Sequence, residues 1–298
     1  MSSHGPPTAG VIGLGDIGRG VATNLARAGI PLTVHDVRTE ASSGFSDGAR
    51  VADDAADLAS TSEVVIVCVL DDAQVLSVLD GARGALSGAG RGATVLVLST
   101  VSIKALQEAS ELASSRGVAL LDCGVSGGPV AAAEGSLVSM LGGDEAVIDR
   151  VRPVLDAFSS LVVHMGPLGA GLQAKLARNL VQYGSWLAAY EAQVLAEAAG
   201  IELSKLAEVI RASDEKIGGA SRLMFRASVA PFEADDDMRL VGAMKAGSTL
   251  AHKDLRAALD LAGALGVRLP LAEMTEARAD AVFGVGPDVA VRGEEEAL

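Results

Sequence analysis

From Ala9 to about His164 the chain alternates short, almost wholly apolar runs with longer segments in which apolar residues recur every three or four positions. The runs are AGVIGLG, PLTVHD, VVIVCVL, TVLVLS, VALLD, LVSMLG and LVVHM. Runs without polar alternation suit strands buried on both faces, the condition of a mostly parallel sheet. Between them, Ile17–Ala28 and Ile103–Arg116 have the spacing of amphipathic helices. Alternation of this kind predicts a doubly wound α/β domain of Rossmann type over residues 1–166.

The pattern changes after Pro167. Gly169 to Gly200 reads as one helix, LQAKLARNLVQYGSWLAAYEAQVLAEAAG, bounded by glycines. Its length would be roughly 45 Å, enough to serve as a spine joining two domains. Tyr183 and Trp186 lie on it and are expected to pack in a core. Further helical stretches follow at Leu203–Ala212, Ala243–Leu265 and Leu271–Phe283, with Pro270 placed to open the last. Phe232–Asp237 is acidic and reads as a loop, and the final residues, with Glu294–Glu296, read as a solvated tail. Residues 167–298 are therefore expected to form an all-α domain. So much Ala/Leu surface on a single spine predicts a homodimer or homotetramer.

Composition narrows the partners. Net charge is −14, from 24 basic and 38 acidic residues among 298, without a Lys/Arg cluster. Such a field repels nucleic acid and anionic membranes. Every apolar run is broken before it could span a bilayer, and MSSHGPPTAG lacks the basic and apolar regions of a secretory leader. The expected location is cytoplasmic. Two cysteines make no disulfide framework: Cys68 reads as a core residue, and no histidine is placed to activate Cys123. Ligand clusters for a metal are not evident.

Candidate chemistry begins at Gly13-Leu14-Gly15-Asp16-Ile17-Gly18, a G-x-G-x-x-G turn after the strand AGVIG and before the helix IGRGVATNLARAG. The first glycine makes the turn, the second admits a pyrophosphate, and the third lets helix and strand close together. The helix start adds free amides and the positive end of its dipole. PLTVHD then ends in Asp36, 23 residues beyond Gly13, where a carboxylate accepts bonds from ribose hydroxyls and repels a 2′-phosphate. The expected cofactor is NAD rather than NADP, although Arg38 could partly accommodate a phosphate.

Three further blocks, in order, carry a family resemblance. Asp122-Cys123-Gly124-Val125-Ser126-Gly127-Gly128-Pro129, continuing to Glu134-Gly135-Ser136-Leu137, resembles the substrate-binding signature of the β-hydroxyacid dehydrogenases, a group that includes 3-hydroxyisobutyrate dehydrogenase and tartronate semialdehyde reductase. Gly166-Pro167-Leu168-Gly169-Ala170-Gly171-Leu172-Gln173-Ala174-Lys175-Leu176-Ala177-Arg178-Asn179 resembles the family's catalytic motif, and Lys253-Asp254-Leu255 its third block. The resemblance implies that Ser126, Gly127 and Gly128 hold a small carboxylate-bearing substrate. Lys175 would act as general acid/base and Asn179 as its positioning partner. Thr100 would lie near the nicotinamide, Leu70 near the adenosine half, and Lys253 would reach the cofactor from the helical half. The residue types agree with those roles. A hydroxyl and unhindered amides in a turn can nest a carboxylate, Lys175 and Asn179 share a helix face at i, i+4, and a lysine of lowered pKa can move the hydroxyl proton as hydride leaves. A lone lysine at position 175 is more often a snorkelling surface residue, a reading that the combined motif reverses, and Lys253 could instead be half of a surface pair with Asp254 or a neighbouring acid.

The chain departs from the family pattern at Cys123-Gly124, where many relatives have Ala-Pro. It departs again at Leu98 and Ile103, at Arg178 in place of a common asparagine, and over the poorly aligned Phe225–Ser248. None removes a proposed catalytic group, but pocket shape can differ. The expected activity is reversible hydride transfer between NAD and a small β-hydroxyacid or its semialdehyde. Two other readings stay open: C=N reduction as in imine reductases, against which Lys175 argues, and a non-catalytic dinucleotide-binding sensor.

Overall fold

The computed structural model describes residues 7–45, 48–220, 230–233 and 235–286. The tail with Glu294–Glu296, most of MSSHGPPTAG and part of Phe225–Ser248 lie outside them. The described chain divides into two compact units, Met1–Arg178 and Asn179–Leu298.

The first unit runs β1 (Ala9–Ile12), α1 (Asp16–Arg27), β2 (Leu32–His35), α2 (Thr39–Ser42), β3 (Arg50–Val51), α3 (Ala55–Ser60), β4 (Val64–Val67), α4 (Asp72–Leu79), α5 (Ala85–Gly88), β5 (Thr94–Val97), α6 (Ile103–Ser115), β6 (Ala119–Ser126), α7 (Gly128–Glu134), β7 (Leu137–Gly142), α8 (Glu145–Asp156) and β8 (Ser159–Gly166). The strands form one sheet in the order β3-β2-β1-β4-β5-β6-β7-β8. Neighbours are parallel except β6 and β7, which pair antiparallel. All seven apolar runs become strands, but LVVHM corrects the expectation of burial on both faces: as the edge strand β8 it leaves Leu161, Val163 and Met165 exposed. Two-residue β3, at the sheet edge, has no such run behind it, because Arg50 and Val51 are exposed.

Alternate residues of each central strand feed two cores. Val11, Ile66, Leu96 and Leu121 pack with Val21 and Leu25 of α1 and with Ile148, Val151 and Leu155 of α8. Ile12, Val65, Val67, Val95 and Val97 pack on the other face with Leu58, Val75, Leu79, Leu106 and Ala109. Both faces are covered, so the period-two alternation of a half-exposed strand is missing from the sequence. Side chains set several helix starts: Asp54 accepts from the Asp57 amide, Asp71 from Gln74, Ser102 from Ala105, and Asp144 from Ala146 and Val147.

α9 spans Ala170–Ala198. In the second unit it is followed by α10 (Leu203–Ile217), α11 (Met238–Ala264) and α12 (Pro270–Val282), with no strand among the described residues. α10 and α11 are longer than the apolar spacing suggested: α10 gains an exposed, largely polar turn after Ala212, and α11 starts at Met238 rather than Ala243. Glu191 of α9 is buried and accepts from the first-turn amides of α12, Leu271 at 2.7 Å and Ala272 at 3.1 Å. α11 and α12 are pinned by His252, whose Nδ1 lies 2.9 Å from Glu276 Oε1 and whose Nε2 lies 3.3 Å from Asp280 Oδ1. The described part of Phe232–Asp237 is a loop, and Asp237 caps α11 at the Arg239 amide. Tyr183 and Trp186 correct the expectation of core packing. They are 59% and 60% exposed and meet edge to face, with ring centroids 5.3 Å apart. Among the described residues no helix is long and apolar enough to cross a membrane.

Candidate active site

The turn after β1 is shaped by clearances. Gly13 has φ +90°, and a Cβ there would lie 2.3 Å from the Cys68 carbonyl oxygen. A Cβ on Gly18 would lie 1.9 Å from the Gly13 carbonyl oxygen, whereas one on Gly15 would meet nothing within 4 Å. The first and third glycines therefore serve the protein's own packing, and the second keeps its outer side open to a ligand. α1 has no side-chain cap, so its first amides are left for a ligand, save that of Gly18, which donates to Cys68. The adjoining cavity measures about 850 Å³ and is lined by Gly15, Asp16, Ile17, Asp36, Leu70 and Pro129, among others. Its size is that of a cofactor cleft.

Asp36 closes one end. Its Oδ2 accepts from the Leu14 amide at 2.7 Å, and its Oδ1 accepts from the Arg38 amide at 2.9 Å and Nε at 3.1 Å. Partial burial pushes this carboxyl up, but the bonds from Arg38 and Leu14 outweigh it and hold it below the usual carboxylate range. An anion anchored on the glycine turn itself fits a ribose-bearing dinucleotide. Arg38 folds back over it, 58% exposed against 6% for Asp36.

Cys68 packs against the core, as its apolar run suggests, but at the core's edge. β4 ends at Val67, and Cys68 is partly exposed on the cavity wall. Burial pushes its thiol up to about 11 against a hydrogen bond from the Gly18 amide. Cys123 is fully buried and pushed up to about 12, which removes it as a nucleophile.

The second cluster is built on β6. Val97, the last residue of β5, pairs with Asp122, so Cys123–Ser126 runs on beyond β5 and pairs only with β7. Ser126 is half-buried at the strand end, and the chain turns through Gly127 (φ +119°) and Gly128 (φ +66°) into α7. A Cβ on Gly127 would lie 2.4 Å from the Ala131 Cβ, so both the left-handed backbone and the space demand glycine. Lys175 is half-buried on α9, and its Nζ donates to the Val125 carbonyl at 2.5 Å, one residue before Ser126. Burial, with a smaller contribution from the neighbouring Arg178 charge, lowers the lysine below its ordinary pKa. The structure thus brings Lys175 to the Ser126-Gly127-Gly128 turn. Asn179 is half-buried one helical turn further along α9.

Other expected positions are placed less tellingly. Leu70 lies on the cavity wall, 80% exposed. Thr100 is exposed in the loop after β5 and is not among the residues lining that cavity. Lys253 is 70% exposed on α11, with Nζ 3.1 Å from Asp254 Oδ1, the surface pair that its neighbour in sequence suggested.

Two contributors were not singled out from sequence. Ser99 accepts from the Val69 amide at 2.9 Å and donates to the Val69 carbonyl at 2.8 Å, tying the loop after β4 to the loop after β5. Asp122, only 2% exposed, accepts from the Gly169 amide at 2.6 Å and the Leu172 amide at 2.7 Å, capping α9 from the middle of β6. Both belong to runs that read as strand, and only the positions of their long-range partners reveal the bonds.

Comparisons with known proteins bear on the whole chain. Residues 8–166 match the family model described as the NAD binding domain of 6-phosphogluconate dehydrogenase. Residues 169–283 match the one described as NAD-binding of NADP-dependent 3-hydroxyisobutyrate dehydrogenase. An uncharacterised oxidoreductase of Mycobacterium tuberculosis is 38% identical over 286 residues, 96% of each chain. The NAD-dependent L-serine dehydrogenase of Pseudomonas aeruginosa is 36% identical over 203 residues, 68% of each chain. Among solved structures, a Mycobacterium avium protein described only as an oxidoreductase superposes with a TM-score of 0.87 at 36% identity, covering 94% of this chain and 99% of that one. With a glycine turn and carboxylate suited to a dinucleotide and matches running through both units, the chain belongs to the β-hydroxyacid dehydrogenase family.

Proposed function

We propose that the chain is an NAD-dependent dehydrogenase that interconverts a small β-hydroxyacid and its semialdehyde. The observation that carries the reading is Lys175: a half-buried amine of lowered pKa, held on the Val125 carbonyl beside the Ser126-Gly127-Gly128 turn. Its family place and a relative named for L-serine, itself a β-hydroxyacid, agree with it.

Bound nicotinamide supplies the hydride acceptor or donor. Gly13, Leu14, Gly15, Asp16, Ile17 and Gly18 would cradle the pyrophosphate, Asp36 would take the ribose hydroxyls, and Leu70 would flank the adenosine half. Thr100 and Lys253 are assigned to the cofactor on resemblance alone. Ser126 Oγ and the backbone of Gly127 and Gly128 would hold the substrate carboxylate, which fixes the hydroxyl-bearing carbon in place. Neutral Lys175 would then take the hydroxyl proton as hydride departs, and the ammonium would return it to the carbonyl oxygen in reduction. The direction of its shift makes the neutral base easier to reach than on an exposed lysine, while the ammonium remains available for reduction. Asn179, one turn on, would orient the ammonium or the substrate. The anionic Asp36 supports NAD over NADP by excluding a 2′-phosphate. We place the dinucleotide-binding domain at residues 1–166 and the helical domain at 167–298.

The same reading includes a homodimer or larger homo-oligomer. Leu180, Tyr183, Trp186 and Tyr190 on α9 are 75%, 59%, 60% and 63% exposed, an apolar stripe that a second copy would cover. Sedimentation or light scattering tests this directly.

The activity is tested by initial rates of nicotinamide reduction with NAD and NADP in parallel. The panel would hold 3-hydroxyisobutyrate, 3-hydroxypropionate, serine, glycerate and 4-hydroxybutyrate, with a cyclic imine offered alongside reduced cofactor. NAD-linked oxidation of one hydroxyacid is the expected result. Turnover of the imine alone would overturn the proposal in favour of C=N reduction, and silence throughout in favour of a sensor.

A further inference from the structure

We infer that Asp122 is a positioning residue for Lys175: by bolting the start of α9 to the middle of β6, its carboxylate holds the lysine down on the Val125 carbonyl. The inference rests on the acid/base reading of Lys175 given above and explains how that lysine comes to be buried.

The geometry is continuous from one residue to the next. Asp122 is 2% exposed and spends one oxygen on the Gly169 amide and the other on the Leu172 amide. These are donors at the start of α9, where helical amides lack internal partners. Lys175 follows one turn after Leu172. On the strand side, Val125, the lysine's acceptor, follows three residues after Asp122. The same two elements are therefore joined twice, once through Asp122 and once through Lys175.

Between these two bonds the elements touch without clearance. A Cβ on Gly124 would lie 2.7 Å from both the Gly171 carbonyl oxygen and the Lys175 Cβ. A Cβ on Gly171 would lie 2.2 Å from the Met140 carbonyl oxygen, and one on Gly142 would lie 2.2 Å from Asp122 Oδ1. Three glycines strip the seat down to backbone, and the carboxylate holds α9 against it. The missing side chain of Gly124 is what lets the stem of Lys175 descend onto β6.

The test compares wild type with Asp122→Asn and, separately, Gly124→Ala. The lysine amines are reductively methylated with a ¹³C label, and the Lys175 signal, assigned by its loss in Lys175→Arg, is titrated by NMR. Asparagine keeps the shape of aspartate but turns one acceptor into a donor facing an amide. The start of α9 then loosens, the lysine is rehydrated, and its midpoint rises by about one pH unit. Loss of a nearby negative charge without movement would shift the midpoint downward, so the sign separates positioning from simple electrostatics. Gly124→Ala leaves Asp122 in place and is expected to raise the midpoint in the same way, which keeps the test decisive if Asp122→Asn fails to fold.

Turnover should fall roughly tenfold or more, as misplacement of a reacting group does, and the acid limb of kcat/KM for hydroxyacid oxidation should move up with the midpoint. NADH affinity should stay within about threefold, since the glycine turn is untouched. Variants that lose thermal stability while the midpoint, rate and pH profile stay put would overturn the inference. A midpoint that rises while the pH profile fails to follow would support positioning and instead overturn Lys175 as the acid/base.

Discussion

Replacing Asp36 with serine isolates the group proposed to choose between the two nicotinamide cofactors. The carboxylate is anchored by the Leu14 amide at 2.7 Å and by the Arg38 side chain at 3.1 and 3.2 Å, so it stays ionised and fixed in direction. A ribose hydroxyl donating to such an anion contributes about 1.5–3 kcal/mol. The same charge facing a 2′-phosphate at about 4 Å would oppose it by up to about 4 kcal/mol per unit charge at an effective dielectric constant of about 20. Arg38 already neutralises part of that field, and the cavity is open to solvent. About 1–2 kcal/mol is a fair share of the repulsion to keep. The Leu14 amide loses its acceptor in the serine variant whichever cofactor binds, so that cost cancels in the ratio. Summed, the preference should swing by about 3 kcal/mol, roughly a hundredfold in the NADH:NADPH ratio of dissociation constants. Fluorescence titration of both reduced cofactors measures it. A ratio that moves less than threefold would refute the assignment of Asp36 to the ribose, even if both affinities fall.

Other outcomes follow from residues already placed. Lys175→Ala should cut turnover by about a hundredfold or more while leaving NADH binding nearly intact; a mutant that keeps a tenth of the wild-type rate removes the lysine as acid/base. Glu191→Gln gives up one of two acceptors and the charge at the start of α12, at about 1.5–3 kcal/mol. Urea unfolding should report the loss, together with faster exchange of the Leu271 and Ala272 amides, and unchanged exchange there would show the cap to be idle. His252 sits between Glu276 and Asp280, with Arg256 also on Glu276, and bonding to Glu276 raises its pKa above the usual 6.5 against a smaller desolvation effect. A raised pKa stabilises the folded form below about 6.5, and the contribution is lost as pH rises through the higher folded value. Thermal unfolding from acid to mildly alkaline pH should therefore show a decline as pH rises above about 6.5 that His252→Gln flattens; an identical slope in the variant would count against the pairing.

Much of this was legible in the chain because the relevant signals are local. The apolar runs, the glycine turn and Asp36 depend on neighbours in sequence and all fall where the pattern put them, although β8 at the sheet edge is not buried on both faces. Gly127 and Gly128 likewise declare a backbone that side chains disfavour. The failures are of a different kind. β3 is a pairing of two exposed residues, visible only from the neighbouring strand. Tyr183 and Trp186 look like core by composition, yet one apolar side of a long helix was left uncovered. Cys68 packs against the core as read, but its place on the cavity wall was not visible, because a hydropathy pattern cannot show that the strand stops one residue earlier. Asp122 and Glu191 are single acids inside apolar surroundings, and their meaning lies in helix starts 47 and 80 residues away.

The double attachment of α9 to β6 also bears on how the chain can vary in length. Successive residues of a strand face opposite sides of the sheet, so one residue inserted between Asp122 and Val125 would turn one of the two attachments to the wrong face. One residue inserted between Leu172 and Lys175 would swing the lysine about 100° around the helix axis. Neither error can be absorbed by a change of rotamer. Insertions and deletions should therefore be confined to turns such as Gly90–Gly92 that carry no such phase. A random insertion library scored for folded, active protein should leave the two stretches empty.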